Sequence, residues 1–153
     1  IAVSEDLLDE AGFAKDDIEN LELLISIHTS ANATAQASHI VFPGASSMEK
    51  RGSMINIAGR LQELNPACIP PADARTDWEV IRDLTLSISG EALSESTQNI
   101  ENLFQVIASS IPEFEGKKLT SIGKLGEPLI NTGITIPLLE KENQRKANGE
   151  IVG

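Results

Sequence analysis

The sequence predicts an α/β fold: part of a mostly parallel sheet with flanking helices, followed by a β-hairpin-like loop, an amphipathic helix and an irregular C-terminal tail. Two short apolar runs, LELLISIH (21–28) and HIVFP (39–43), supply the strands. The run EKRGSMINIAGRLQ (49–62), with glycines at 52 and 59, supplies the bend. A helix-start pattern, Thr76-Asp77-Trp78-Glu79, marks the helical layer.

Taken in order, Ser4 followed by Glu5, Asp6, Leu7 and Leu8 and closed by Gly12 reads as a short helix with a hydroxyl cap and acids in its first turn. A second acidic turn over 16–20 leads into 21–28, an Ile- and Leu-rich run of the kind a strand buried on both faces carries. The alanine-rich segment 29–38 predicts a brief helix, and 39–43 a second buried strand stopped by Pro43 and Gly44. That connection is shorter than an ordinary crossover, so the two strands are expected not to be simple neighbours.

In the next stretch, alternation puts Ile55, Ile57 and Leu61 on one side and Asn56, Ala58, Arg60 and Gln62 on the other, or else the chain turns at Ala58-Gly59. The hairpin is favoured, because glycine permits the positive φ of a tight turn. Three prolines make 64–75 an extended connector. Trp78, Ile81, Leu84 and Ile88 then recur at helical spacing up to Gly90, and a second amphipathic helix over 96–110 carries Ile100, Leu103, Phe104, Ile107 and Ile111. From Glu113 glycines and prolines break every period, and the polar stretch 140–149 reads as irregular. The expected division is an α/β portion with the glycine-hinged loop over 1–90 and a helix plus tail over 91–153.

The chain has 153 residues, one domain's worth, starts at Ile1 and is read as a piece of something longer. Twelve bases against 23 acids leave a net charge of −11, which disfavours nucleic acid and anionic membrane surfaces as partners. The single cysteine, Cys68, cannot form an internal disulfide and is too few for an iron–sulfur cluster. No apolar run reaches the roughly 20 residues that span a bilayer. Direct membrane insertion is therefore not expected.

Several chemistries fail on residue order. Gly44-Ala45-Ser46-Ser47 imitates the turn that presents a hydrolase serine, but Met48 replaces the closing glycine and both histidines lie upstream. His28 and His39 flank a small-residue segment without the third ligand that a catalytic zinc uses, so they read as capping or strand-end histidines. The N-terminal carboxylates sit on solvated helix faces. In the loop, Lys50, Arg51 and Arg60 carry charge that suits an anion, and Asn56 and Gln62 carry amides that suit a heterocycle. The same residues also suit a purely structural bend, in which Glu49 pairs with Lys50 or Arg60 and Asn56 closes a turn.

Three runs in order carry a family resemblance. Thr34-Ala35-Gln36-Ala37-Ser38-His39-Ile40-Val41-Phe42-Pro43 resembles the T-A-x-x-A-D-V-V-L-P run of the molybdopterin oxidoreductase superfamily. The run 49–62 resembles its E-K-x-G-T-x-x-N-x-E-G-R-x-Q, and Pro70-Pro71-Ala72-Asp73-Ala74-Arg75-Thr76-Asp77-Trp78-Glu79 its P-P-G-E-A-R-P-D-W-E. Ser38, His39, Ser53 and Ala58 stand where those runs have Ala, Asp, Thr and Glu.

That superfamily includes pterin enzymes such as formate dehydrogenases and the large iron–sulfur subunit of NADH:quinone oxidoreductase (complex I). About seventy residues follow Trp78, with few strand signals, and the stretch 111–126 resembles the tail of the complex I subunit. The resemblance therefore implies a C-terminal structural part of such a subunit, with no redox centre of its own and iron–sulfur clusters upstream. The implied partners are the upstream part of its own chain and other subunits of a respiratory complex on the cytoplasmic face of the membrane, with self-association of the isolated piece through uncovered apolar surface. Two alternatives stand beside it. One is a fragment of a formate dehydrogenase-like enzyme in which Lys50, Asn56 and Arg60 line a molybdopterin cleft, and the other is a free-standing binding module.

Overall fold

The computed structural model describes residues 1–3, 6–9, 12–91, 94, 97–134 and 137–149. The chain divides into two compact units, Ile1–Arg51 with Asn65–Ser94, and Gly52–Leu64 with Glu95–Gly153. The α/β class is as the sequence predicts: a parallel three-stranded sheet, an antiparallel three-stranded sheet, and helices.

In the first unit, β1 (Ala2–Val3), β2 (Ile25–His28) and β3 (Ile40–Pro43) form the parallel sheet in that order. The two apolar runs are direct neighbours after all, with Ile25 opposite Ile40 and His28 opposite Pro43. The crossover works because a five-residue helix, α2 (Ala33–Ala37), suffices, and its small side chains let it lie against β2. β2 is buried along its whole length, as a central parallel strand should be. β3 is not the buried strand its composition suggests: it forms the sheet edge, and Ile40 and Val41 are 42% and 48% exposed. Apolar composition cannot tell an edge strand from a central one.

Ala2, Ile18 and Leu24 make the core of this unit, with Leu7, Leu8 and Ala37 packed around them. Ile18 comes from α1 (Lys15–Glu19), where the second acidic turn was expected. The expected helix over 4–12 lies partly outside the described residues; residues 7–9 form a turn. Buried Asp6 anchors that turn: its Oδ1 accepts from Thr34 Oγ1 at 2.8 Å and from the amides of Leu8 and Asp9 at 3.2 and 3.3 Å. Burial pushes the Asp6 carboxyl up, but these hydrogen bonds outweigh it and hold the group below its ordinary value. A depressed folded-state value means that the contribution is complete above about pH 4 and is lost as pH falls further. Thr34→Val is accordingly expected to lower the denaturant midpoint at neutral pH, and the gap from wild type should close as the solution is acidified below about pH 4.

The helix α3 (Asp77–Ser89) begins at the expected box. Glu79 Oε2 accepts from the Thr76 amide at 3.4 Å and from its hydroxyl at 2.6 Å, and Gly90 ends the helix at φ 69°. Glu79→Ala is expected to cost about 1 kcal/mol, measured by denaturant unfolding. The apolar stripe is only partly covered: Val80 is the buried residue, whereas Ile81 is 39% and Ile88 78% exposed. Arg82 lies 5.2 Å from the centroid of the Trp78 ring, covering part of it with a cation–π contact.

In the second unit, β4 (Gly52–Ile55) pairs antiparallel with β5 (Arg60–Leu64), and β5 pairs with β6 (Glu127–Pro128). Leu61 is the inward residue of the central strand. It joins Phe104, Leu119 and Ile122 in a core to which Ile100, Phe114 and Leu129 add. Phe104 and Phe114 meet edge to face, 5.9 Å apart. Phe104 belongs to α4 (Ile100–Ser110), which is capped by the Asn99 side chain accepting from the Asn102 amide at 2.8 Å. The sequence start at 96 lies outside the described residues.

The tail departs from the irregular reading over α5 (Pro137–Ala147). Proline suits the first helical position, and Glu140, Lys141, Gln144, Arg145 and Ala147 are all strong helix formers. Charge without apolar period hid the helix. Among the described residues no helix is long and apolar enough to cross a membrane.

Candidate functional site

The sequence singles out the loop 49–62 and the residues Lys50, Asn56 and Arg60. The structure places Asn56 and Arg60 together in the β4–β5 hairpin of the second unit, and Lys50 in the first. Asn56 closes the turn as expected, its Oδ1 accepting from the amides of Ala58 and Arg60 at 3.0 and 3.1 Å. Its Nδ2 donates to Gln62 Oε1 at 2.9 Å. Gly59, at φ +72°, donates to the Asn56 carbonyl, and its own carbonyl accepts from the amides of Leu129 and Ile130.

Arg60 is directed at backbone. Its Nε donates to the Leu125 carbonyl at 2.9 Å and its Nη2 to the Gly126 carbonyl at 2.5 Å. The close approach depends on Gly126, which has φ +71° and no room for a Cβ against the Leu61 carbonyl. No sequence pattern announces such a partnership, because carbonyls belong to every residue type.

Lys50 Nζ lies 2.5 Å from Asp77 Oδ2, with the two side chains 20% and 21% exposed. Glu49 does not pair with Lys50 or Arg60 by a hydrogen bond; its Oε2 accepts from the Ser46 amide at 2.8 Å. The observed groups of Lys50, Asn56 and Arg60 are directed at Asp77, Gln62 and the main-chain carbonyls of Leu125 and Gly126.

A second feature escaped the sequence reading. Beyond the C-terminal ends of β2 and β3, the position where open α/β sheets bind ligands, a cavity of about 340 Å³ is lined by His28, Ser30, Ala35, Gln36, Val41 and Pro43. Asn32 Oδ1 accepts from the Ala35 amide, which fixes Nδ2 as the donor to His28 Nδ1 at 3.2 Å. His28 Nε2 therefore carries a hydrogen, yet it is buried and without a hydrogen-bond partner. Ser26 Oγ, on the same face of β2 by alternation, is likewise buried and unpartnered. The signal available in the sequence was a polar i, i+2 pair inside an otherwise apolar strand. Among the described residues no group of three or more His, Cys, Asp or Glu side chains is arranged to hold a metal ion.

Residues 7–86, which contain β2 and β3 of the parallel sheet, the crevice and most of α3, match the family model described as molybdopterin oxidoreductase. The chain belongs to that family. It is 32% identical over 109 residues to the NADPH-Fe(3+) oxidoreductase subunit alpha of Geobacter sulfurreducens, covering 71% of this chain and 12% of that protein. It is 34% identical over 107 residues to the F420-dependent formate dehydrogenase 1 subunit alpha of Methanococcus maripaludis, covering 69% and 16%. Over 74 residues it is 31% identical to the NADH-ubiquinone oxidoreductase 75 kDa subunit of Reclinomonas americana, covering 48% and 11%. The chain thus spans only a small part of the length of these relatives.

Proposed function

We propose that this chain is a structural part of the large iron–sulfur subunit of an NADH:quinone oxidoreductase, supporting electron transfer without holding a redox centre. The carrying observation is the hairpin, where Arg60 supports the carbonyls of Leu125 and Gly126 and Asn56 supports Gln62. Iron–sulfur clusters belong to the rest of the subunit in this reading. The exposed edge strand and the exposed end of α3 pack against that remainder or against neighbouring subunits, on the cytoplasmic face of the membrane.

One observation favours a second reading, a catalytic pterin enzyme of the formate dehydrogenase kind. The crevice at the end of β2 is lined by His28, whose buried Nε2–H has no partner, and an acceptor atom on a ligand would satisfy it. A molybdenum or tungsten pterin would supply two-electron redox chemistry there, and His28 would help to hold it. The match to the formate dehydrogenase subunit of Methanococcus maripaludis supports the same reading.

Elemental and pterin analysis of the purified full-length protein separates the two. Iron without molybdenum, tungsten or pterin is the expected result. Stoichiometric molybdenum or tungsten with pterin would overturn the first reading and install the second.

A further inference from the structure

At the opposite end of the parallel sheet, both backbone groups of Leu24 are held by the start of β3. The Leu24 carbonyl accepts from the amides of His39 at 2.9 Å and Ile40 at 3.2 Å. The Leu24 amide donates to His39 Nδ1 at 3.0 Å. A backbone N–H can only donate, so Nδ1 must offer its lone pair. His39 is therefore a neutral imidazole with its proton on Nε2.

We propose that His39 is an acid-released latch on the entry to the parallel sheet. Protonation places a hydrogen on Nδ1, directly facing the Leu24 N–H, so the bond is lost and two donors oppose each other. The contribution is present where the imidazole is neutral and is lost once it is protonated. The latch matters to the core because Leu24 is 3% exposed and packs with Ala2 and Ile18.

The surroundings leave His39 to act on its own. β1, α2 and β3 carry no titratable side chain, and β2 carries only His28, at its far end. Before β2 stands Glu22, and α1 carries Asp16, Asp17 and the exposed Lys15–Glu19 pair. Among the described residues no carboxylate or cation is hydrogen-bonded or ion-paired to His39. The latch is independent of which cofactor the protein carries.

Hydrogen–deuterium exchange of the full-length protein tests it, read at the Leu24 amide by fragmentation mass spectrometry and divided by the intrinsic rate at each pH. Between pH 7.5 and 5.5, corrected exchange at Leu24 is expected to rise about five-fold, the loss of one ordinary hydrogen bond. His39→Asp and His39→Asn, which keep an acceptor across that range, are expected to stay flat. A flat wild-type profile overturns the latch whatever the variants do. So does an equal rise in wild type and a folded variant.

Discussion

Lys50→Met is expected to destabilise the first unit by about 3 kcal/mol, because it removes the partner of a carboxylate that is largely withdrawn from water. An exposed ion pair would be worth less than about 1 kcal/mol, and that smaller figure would apply if Lys50 and Asp77 were solvated. They are not: their side chains are 20% and 21% exposed, and Asp77 Oδ1 is already buried with no hydrogen-bond partner. Without the ammonium the carboxylate loses its main compensation. The double variant Lys50→Met, Asp77→Leu removes the orphaned charge as well and should recover most of the loss, short of the roughly 0.5 kcal/mol that an acid contributes at a helix N-terminus. Denaturant unfolding of the single and double variants checks both statements. A single variant within about 0.5 kcal/mol of wild type would show that the pair behaves as a surface pair.

Gly59→Ala is expected to cost about 3 kcal/mol, the combined effect of left-handed backbone strain and a steric collision. Gly59 has φ +72°, and a Cβ there would fall against the Ile130 carbonyl oxygen, 2.9 Å from its carbon and 3.1 Å from Thr132 Cγ2. Those atoms belong to the segment whose amides bond to the Gly59 carbonyl, so moving them breaks what holds the hairpin to it. Gly116→Ala provides the control. Its φ is +74°, but a Cβ there meets open space, and only the strain of about 1 kcal/mol should appear. Equal costs for the two substitutions would rule out the collision.

What the sequence made legible was local. Thr76 and Glu79 announce the start of α3, Ala58-Gly59 announces the turn, and three motif runs in order announce the family. What it concealed depends on atoms far along the chain. Periodicity identifies Trp78, Ile81, Leu84 and Ile88 as one stripe, but it does not say which of them the unit covers, and Ile88 stays 78% exposed. The apolar run 39–43 reads as buried because edge and centre share a composition. For the candidate site, Lys50, Asn56 and Arg60 were visible as side chains with donors, while their partners were not. Asp77 is 27 positions from Lys50, and the carbonyls under Arg60 leave no trace in residue type. His28 was visible as a histidine, but its unpartnered nitrogen appears only once Asn32 is fixed by capping α2.

The pairing of Gly52 with Leu64 means that the hairpin leaves and rejoins the remainder of the chain at neighbouring points. It is a cassette: the sequence of the first unit is interrupted while its path is not. Replacing residues 53–63 with a two-residue link would therefore leave β1, β2, β3 and α3 with unchanged connections, while stripping the second unit of its central strand and of Leu61. Lineages could lengthen, shorten or exchange such an insert without rewiring the parallel sheet.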